Sequence, residues 1–357
     1  MIKRVKLINY RNFLDFDIEL SGGNLFILGE NAAGKTNFLE SIYYGIKSRS
    51  FRTHREREII NLRRNQAYIG LEFVDKGMHK RVEYLLDRNK KKRVKLNGKE
   101  VRSLRDIKEE VVVFSPDDLS LVKGAPENRR RFFDDLFSSI DSEYQYALNS
   151  YNRALLQKNN LLKEGTGDPN LLKVFDFELL KHGSAVLFMR NSFLVRMEEI
   201  SRSILWELSG ERENLKIVYC SDICFNNIDE DEIYEAFKCE FYKNKERDMI
   251  FKSTTTGPHR DDYIFYVEDK DSRSYSSQGQ QRTLSLALLL AKTEFLTIKT
   301  GSKPILLLDD VFSELDEARR NYLIEYIRGF ESFITGTERP EFVDNIILIE
   351  NGNWRNL

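Results

Sequence analysis

Residues 29–36 read GENAAGKT, between the apolar run Leu25–Leu28 and an amphipathic stretch that continues to about residue 46. The pattern G-x-x-x-x-G-K-T in that setting predicts a strand, a glycine-rich loop and a helix. Gly29 and Gly34 let backbone N–H groups curl around a phosphate, with Glu30, Asn31, Ala32 and Ala33 forming the loop between them. Lys35 is placed to reach the β- and γ-phosphate oxygens, and the Thr36 hydroxyl to ligate Mg²⁺. The helix start adds the positive end of its dipole. Such a loop implies an α/β layer that holds a nucleoside triphosphate at its edge.

A phosphate loop of this kind needs a metal-positioning carboxylate at the end of a neighbouring strand. Ile305–Leu308, four apolar residues, run straight into Asp309 and Asp310. By position, Asp309 is expected to hold the metal through water, and Asp310 to polarise the attacking water. Lys35, Asp309 and Asp310 are thus the expected catalytic groups, and Thr36 with Asp309 the metal-holding pair. The following segment SELD (313–316) also reads as the N-cap of a helix.

The stretch SSQGQQRTLSLALLL, from Ser276 to Leu290, opens a core-bound helix with far more polarity than one cap requires. A Ser/Gly-rich turn at a helix start suits an anion. The order of phosphate loop, inserted region, Ser-x-Gly-Gln, acidic strand end and Leu-Asp loop is similar to the ABC-type ATPase head. That resemblance implies bound ATP and Mg²⁺ in an ATP-dependent homodimer. Ser277, Gly279 and Gln280 would then meet the γ-phosphate held by the other subunit's loop.

The chain has 357 residues, 41% hydrophobic and 32% charged, with a formal net charge of −1. It offers no global basic field, so any nucleic-acid contact must come from local patches. The N-terminal residues lack an apolar h-region, and no apolar run is long enough to span a bilayer. A cytoplasmic protein with no membrane partner is expected, with Cys220, Cys224 and Cys239 as reduced, partly buried thiols. Alternating apolar residues at 69–73 and 82–86, with an Asn97-Gly98 turn, predict an antiparallel meander. From Pro126 the pattern is helical to about Leu208, broken at EGTGDPN (164–170), where Gly165, Gly167 and Pro169 mark a turn. The two arms, roughly 40 residues each, would reach about 60 Å at most. Three segments are expected: 1–125 as the N-terminal part of an ATPase head, 126–251 as an inserted, mainly helical lobe, and 252–357 as the rest of the head.

The segment PDDLSLVKGAPENRRRFFD (116–134) narrows the resemblance to the RecF family of bacterial recombination-mediator ATPases. Pro116, Asp117, Leu121, Val122, Gly124, Ala125, Pro126, Arg129, Arg130, Phe132 and Asp134 fit that family's pattern, and Phe133 stands where it usually has an aliphatic residue. LLLDDVFSELDEARRNYL (306–323) fits a second pattern throughout, and SFRT (50–53) and GPHRDD (257–262) also look like RecF segments. The resemblance implies an ABC-type P-loop head with an antiparallel β meander and an inserted helical lobe. It further implies an ATP-dependent DNA-binding protein of recombinational repair, acting at gaps and duplex junctions with RecO and RecR to help load RecA. Hydrolysis is expected to be weak. Where other ABC heads have a switch histidine, SFITGTE (332–338) offers Thr335 and Thr337 but no His.

Two charge clusters are the candidate DNA contacts, made to phosphates without sequence readout. One runs from Lys47 to Arg64 and includes Arg52, Arg55 and Arg57; the other, on a predicted hairpin, includes Lys90, Lys91, Lys92 and Arg93. Solvated surface is the competing reading of both. A transporter's nucleotide-binding subunit and a short bridge related to chromosome-maintenance proteins are the other function classes. The RecF patterns disfavour the first, and the arm length the second.

Overall fold

A computed structural model describes the chain except residues 76, 103, 105, 106, 108, 117, 119, 120, 166, 167, 341 and 351. Asp117 of the RecF pattern and Gly167 of the helical turn lie outside the described residues. The chain forms two compact units, Met1–Asp118 with Gly301–Leu357, and Leu119–Thr300.

The first unit holds two six-stranded sheets. In the antiparallel one, β1 (Ile2–Tyr10) pairs with β2 (Phe13–Glu19) and with β4 (Gln66–Asp75). The meander continues through β5 (Met78–Asp87), β6 (Arg93–Leu96) and β7 (Lys99–Glu100). Its alternation has a physical cause. Ala67, Ile69, Leu71 and Phe73 on β4 and Val82, Tyr84 and Leu86 on β5 share one buried face, with Ile69, Leu71, Phe73, Val82 and Leu86 each contributing about 1.5–3 kcal/mol. At the β6–β7 turn Asn97 and Gly98 both have positive φ, 50° and 79°, as the tight hairpin requires.

The other sheet has the order β15-β14-β3-β13-β12-β8. Its strands are β3 (Asn24–Leu28), β8 (Val111–Phe114), β12 (Ile305–Leu308), β13 (Ser332–Gly336), β14 (Ile346–Glu350) and β15 (Asn353–Asn356). All neighbours are parallel except β15, which returns antiparallel on β14. Helix α1 (Lys35–Lys47) follows β3 and sends Phe38, Leu39 and Ile42 into a core shared with both sheets. One expectation needs correcting. The acidic strand β12 does not neighbour β3, because β13 is hydrogen-bonded between them. Helix α9 (Glu317–Ile327) starts at Asp316, whose carboxylate accepts from the Arg319 N–H, as the cap reading of SELD predicts.

The second unit contains α2 (Pro126–Ile140), α3 (Ser142–Glu164), α4 (Pro169–Leu208), α5 (Glu230–Lys243), α6 (Lys245–Phe251), α7 (Ser272–Tyr275) and α8 (Gln278–Thr300). A small antiparallel sheet joins β9 (Leu215–Cys220), β10 (Asp262–Val267) and β11 (Lys270–Asp271). The arm expected as one run from Pro126 breaks at Asp141. Its backbone is extended (φ −140°, ψ 116°), and its carboxylate accepts from the N–H groups of Glu143 and Tyr144. Residues 252–300, expected with the head, fall in the helical unit. The reason is pairing and packing: β10 zips onto β9 from Asp262↔Cys220 to Val267↔Leu215, and α8 packs on α4. Of the three thiols, Cys220 is partly buried, whereas Cys224 and Cys239 are exposed rather than partly buried; none forms a disulfide.

Candidate nucleotide site

The loop between β3 and α1 takes a shape that few sequences allow. Ala32 has φ 66° and Gly34 φ 115°. At Gly34 a side chain is excluded twice, because a Cβ would also lie 2.5 Å from the Asn12 amide nitrogen. That amide donates to the Ala33 carbonyl (2.8 Å), and its oxygen accepts from Asn37 Nδ2 (2.8 Å). The β1–β2 turn therefore braces the loop through Asn12, which, with Arg11, stands where the heads of the resembled family approach the nucleotide. Glu30, Asn31 and Ala32 are exposed, and Gly29 and Gly34 are buried.

Lys35 is buried, and its ammonium donates to the carbonyls of Gly29 (2.6 Å) and Glu30 (3.0 Å). Burial lowers its pKa, and the charges of Asp310 and Asp309 push it back up. Both carboxylates thus act on the one cation of the loop, although Lys35 lies far from them in the chain. The Thr36 hydroxyl donates to Asp309 Oδ1 at 2.9 Å. Thr335, at the end of β13, donates to the same oxygen at 2.9 Å and accepts from the Asp310 N–H at 2.9 Å. Asp310 is held in the left-handed region, φ 52° and ψ 25°.

Thr36 and Asp309 fit Mg²⁺ chemistry. A hydroxyl that donates its proton to Asp309 still has lone pairs for a cation. Among the described residues no group of three or more His, Cys, Asp or Glu gathers to cage a metal. A phosphate-site Mg²⁺ needs none, since it takes one or two carboxylates and fills its shell with water and phosphate oxygens.

In the second unit Ser277 is exposed, and it caps α8 in a reciprocal box. Gln280 N–H donates to Ser277 Oγ (3.2 Å), and Ser277 N–H to Gln280 Oε1 (2.9 Å). Gln280 Nε2 also reaches Glu213 (2.8 Å), and Gln281 Nε2 the carbonyls of Ser272 and Ser276. Local structure thus accounts for the two glutamines. Gly279 is open, with only Ser277 Oγ within 4 Å of where a Cβ would sit.

The arginines of the RecF pattern are internal to this unit. Arg129 is 1% exposed and pairs bidentately with Asp262 (2.8 and 2.9 Å), while Arg130 donates to the Asp261 carbonyl. Phe133, the one departure in that segment, is buried and stacks on Tyr263 with centroids 4.0 Å apart. His259 bridges Tyr151 OH (2.6 Å) and the Thr254 carbonyl (3.0 Å), and burial pulls its pKa down to about 4.

The basic clusters divide into display and scaffold. Arg55, Arg57, Lys90, Lys91 and Arg93 are exposed. Lys92 instead turns inward to Glu56 (2.5 Å) and the Ser48 carbonyl (2.7 Å). Arg52, partly exposed, donates to Asn37 Oδ1 (2.8 Å) on α1. Beneath it the fully buried Glu40 accepts from Ser50 and, bidentately, from Arg11 (2.7 and 2.9 Å). Neither Asn37 nor Glu40 carries a sequence signal beyond being polar in a helix that buries most of its faces.

Comparisons with known proteins agree with this geometry. The family model for the RecF/RecN/SMC N-terminal domain matches residues 1–346. A DNA replication and repair protein RecF from Clostridium tetani is 37% identical, with 98% of each chain covered. One from Lachnoclostridium phytofermentans is 38% identical over 97% of this chain and 95% of its own. A solved structure of the recombination mediator protein RecF with ATP, in the RecFOR pathway, superposes with a TM-score of 0.92 at 35% identity, covering 100% of this chain and 97% of the other. An Smc head domain from Pyrococcus furiosus, 15% identical with a TM-score of 0.56, shares the fold. A phosphate loop facing an acidic strand end in an ABC-type head, with matches along the whole length, places this chain in the RecF family of DNA replication and repair proteins.

Proposed function

We propose that the chain is an ATP-dependent DNA-binding protein of cytoplasmic recombinational repair. ATP closes a homodimer on DNA at gaps and junctions, RecO and RecR act with it to help load RecA, and slow hydrolysis resets the bound state. The observation that carries the reading is the 2.9 Å bond between Thr36 and Asp309, which joins the phosphate loop to the acidic strand end. Among the described residues no helix is long and apolar enough to cross a membrane.

In this reading the loop N–H groups and Lys35 bind the β- and γ-phosphates. Bound Mg²⁺ neutralises phosphate charge, and Thr36 and Asp309 are the residues that hold it. Asp310 orients a water and takes its proton as the water oxygen bonds to the γ-phosphorus. The bond to the β–γ bridging oxygen breaks and ADP leaves. Asp carries one methylene less than the Glu of many ABC ATPases, so its reach to that water is shorter and turnover slow. Ser277 and Gly279 supply donors to the γ-phosphate of the partner subunit's ATP.

The test is Lys35→Met. It abolishes ATP-dependent retention on duplex DNA at physiological salt. For the native protein, log affinity falls with log salt at a slope of roughly −4 to −7, the signature of five to eight phosphate contacts. Equal retention by mutant and native protein at saturating ATP, or a slope near zero, refutes the proposal.

A further inference from the structure

β13 is buried along its whole length, and an apolar residue would fill position 335 as well as threonine does. A hydroxyl there is costly unless bonded. Thr335 is 1% exposed and bonded twice. The parallel register pairs Leu308 with Ile334 on one side and Ile27 with Thr335 on the other. Thr335 therefore lies between the acidic strand end and the strand that feeds the phosphate loop. Its oxygen is 2.9 Å from the Asp310 nitrogen and 2.9 Å from Asp309 Oδ1, against 3.5 Å from the Leu308 carbonyl. A hydroxyl has one proton. Since the Asp310 N–H donates to Thr335, the threonine's own hydrogen goes to the nearer, charged acceptor, Asp309.

The two bonds do separate jobs. The bond to Asp309 fixes the oxygen that Thr36 also uses. The bond from Asp310 pins a backbone that is left-handed at a non-glycine residue, where L-residues are disfavoured. Released, that residue would relax and carry its carboxylate with it. We propose that Thr335 is a positioning residue for ATP hydrolysis, coupling the metal-holding carboxylate of Asp309 to the water-orienting Asp310 as one unit. It lies within the strand that in other ABC heads ends in a switch histidine, and it acts through protein groups rather than by touching phosphate. The proposal rests on the ATPase reading above.

The experiment compares Thr335→Val, which keeps the branched shape and loses the hydroxyl, with Thr335→Ser, which keeps the hydroxyl and loses the methyl. Steady-state ATP hydrolysis is measured across a Mg²⁺ titration, and binding with a fluorescent ATP analogue at saturating Mg²⁺. Thr335→Val lowers kcat roughly ten- to a hundredfold, as expected for losing a hydrogen bond to a charged group. It raises the Mg²⁺ concentration for half-maximal rate and leaves analogue affinity within about threefold, while Thr335→Ser stays near the native protein. A valine variant with native kcat and Mg²⁺ dependence, or a serine variant as impaired as the valine one, overturns the proposal. If the valine variant fails to fold, Ser against Ala at this position gives the same comparison, and equal rates for that pair overturn it. Native protein that binds but does not hydrolyse ATP refutes the ATPase reading and this one together.

Discussion

Glu40 offers the sharpest check on how the basic loop is fastened to the phosphate-loop helix. Its carboxylate is fully buried and takes Arg11 Nε at 2.9 Å, Arg11 Nη2 at 2.7 Å and the Ser50 hydroxyl. Ser50 in turn accepts from the N–H groups of Arg52 (2.9 Å) and Thr53 (3.1 Å). Glu40→Leu strands a guanidinium and unties the loop. Removing one partner of a buried pair costs about 3–5 kcal/mol. Arg11 is 19% exposed and keeps the Glu58 carbonyl at 2.8 Å, so the cost lies at the lower end, about 3 kcal/mol. In Arg11→Met with Glu40→Leu no buried charge is left unpaired, since Arg52, 4.0 Å from Glu40, is 43% exposed, and apolar replacement of a buried pair is often neutral. The double mutant is therefore more stable than the summed single effects by about 2 kcal/mol.

The chain has two tryptophans, and Trp354 belongs to the first unit, donating from its indole to the Asp17 carbonyl. In a Trp206→Phe background, Trp354 fluorescence in urea reports unfolding of that unit alone. Hydrogen exchange at Arg52 and Thr53 should quicken in Glu40→Leu while the β4–β5 amides stay protected. A loss below about 1 kcal/mol, or strict additivity in the double mutant, would show that the buried pair does not fasten the loop.

Asp310→Asn keeps ATP binding and the ATP-bound dimer while stopping hydrolysis, whereas Asp309→Asn weakens Mg²⁺–ATP binding itself; identical nucleotide titrations for the two would remove that division of roles. Lys91→Glu with Arg93→Glu cuts duplex affinity and flattens its salt dependence without changing stability, while Lys92→Glu, facing Glu56, destabilises the first unit; gel shift and urea melts on both separate displayed charge from scaffold. Ser277→Arg and Lys35→Ala proteins are each nearly inactive alone and regain ATPase on mixing, because a mixed dimer has one intact composite site; no recovery, with activity independent of protein concentration, would mean that the signature serves its own subunit.

What the sequence made legible follows the range of the interactions involved. The phosphate loop is local chemistry: two glycines, a lysine and a threonine have to be consecutive to work, so GENAAGKT announces itself. The meander was legible for a similar reason, since period-two burial from Ile69 to Leu86 is written in the residues themselves. Strand order is not local. Nothing in ILLLDD says that β13 will come between it and β3, because parallel strands are set beside one another by crossovers distant in the chain. For the same reason SFITGTE shows only Thr335 and Thr337 in a segment that lacks a histidine, and the two bonds of Thr335 exist only once β12 and β13 are in register. Charge runs hide a different ambiguity. Lys91 and Lys92 are adjacent and chemically identical, yet in the irregular segment before β6 one faces water and the other turns to Glu56.

The polar opening of α8 shows how a surplus divides between structure and function. Of Ser277, Gln278, Gly279, Gln280 and Gln281, three are engaged: Ser277 and Gln280 form the capping box, Gln280 also holds Glu213, and Gln281 anchors the short α7 turn. A capping box needs Ser and Gln three apart but places no demand on the residue between them that is glycine here. Gly279 is the second residue of α8, in its first turn, and gives that turn no side chain. Gly279 has nothing pressing on it, so crowding within its own unit does not explain the choice. A close approach from outside would. The same holds for Ser277, which remains exposed while it caps. Local structure thus uses up Gln280 and Gln281 and gives Ser277 a capping role, and it leaves Gly279, beside the exposed Ser277 hydroxyl, as the residue whose placement an incoming phosphate would explain.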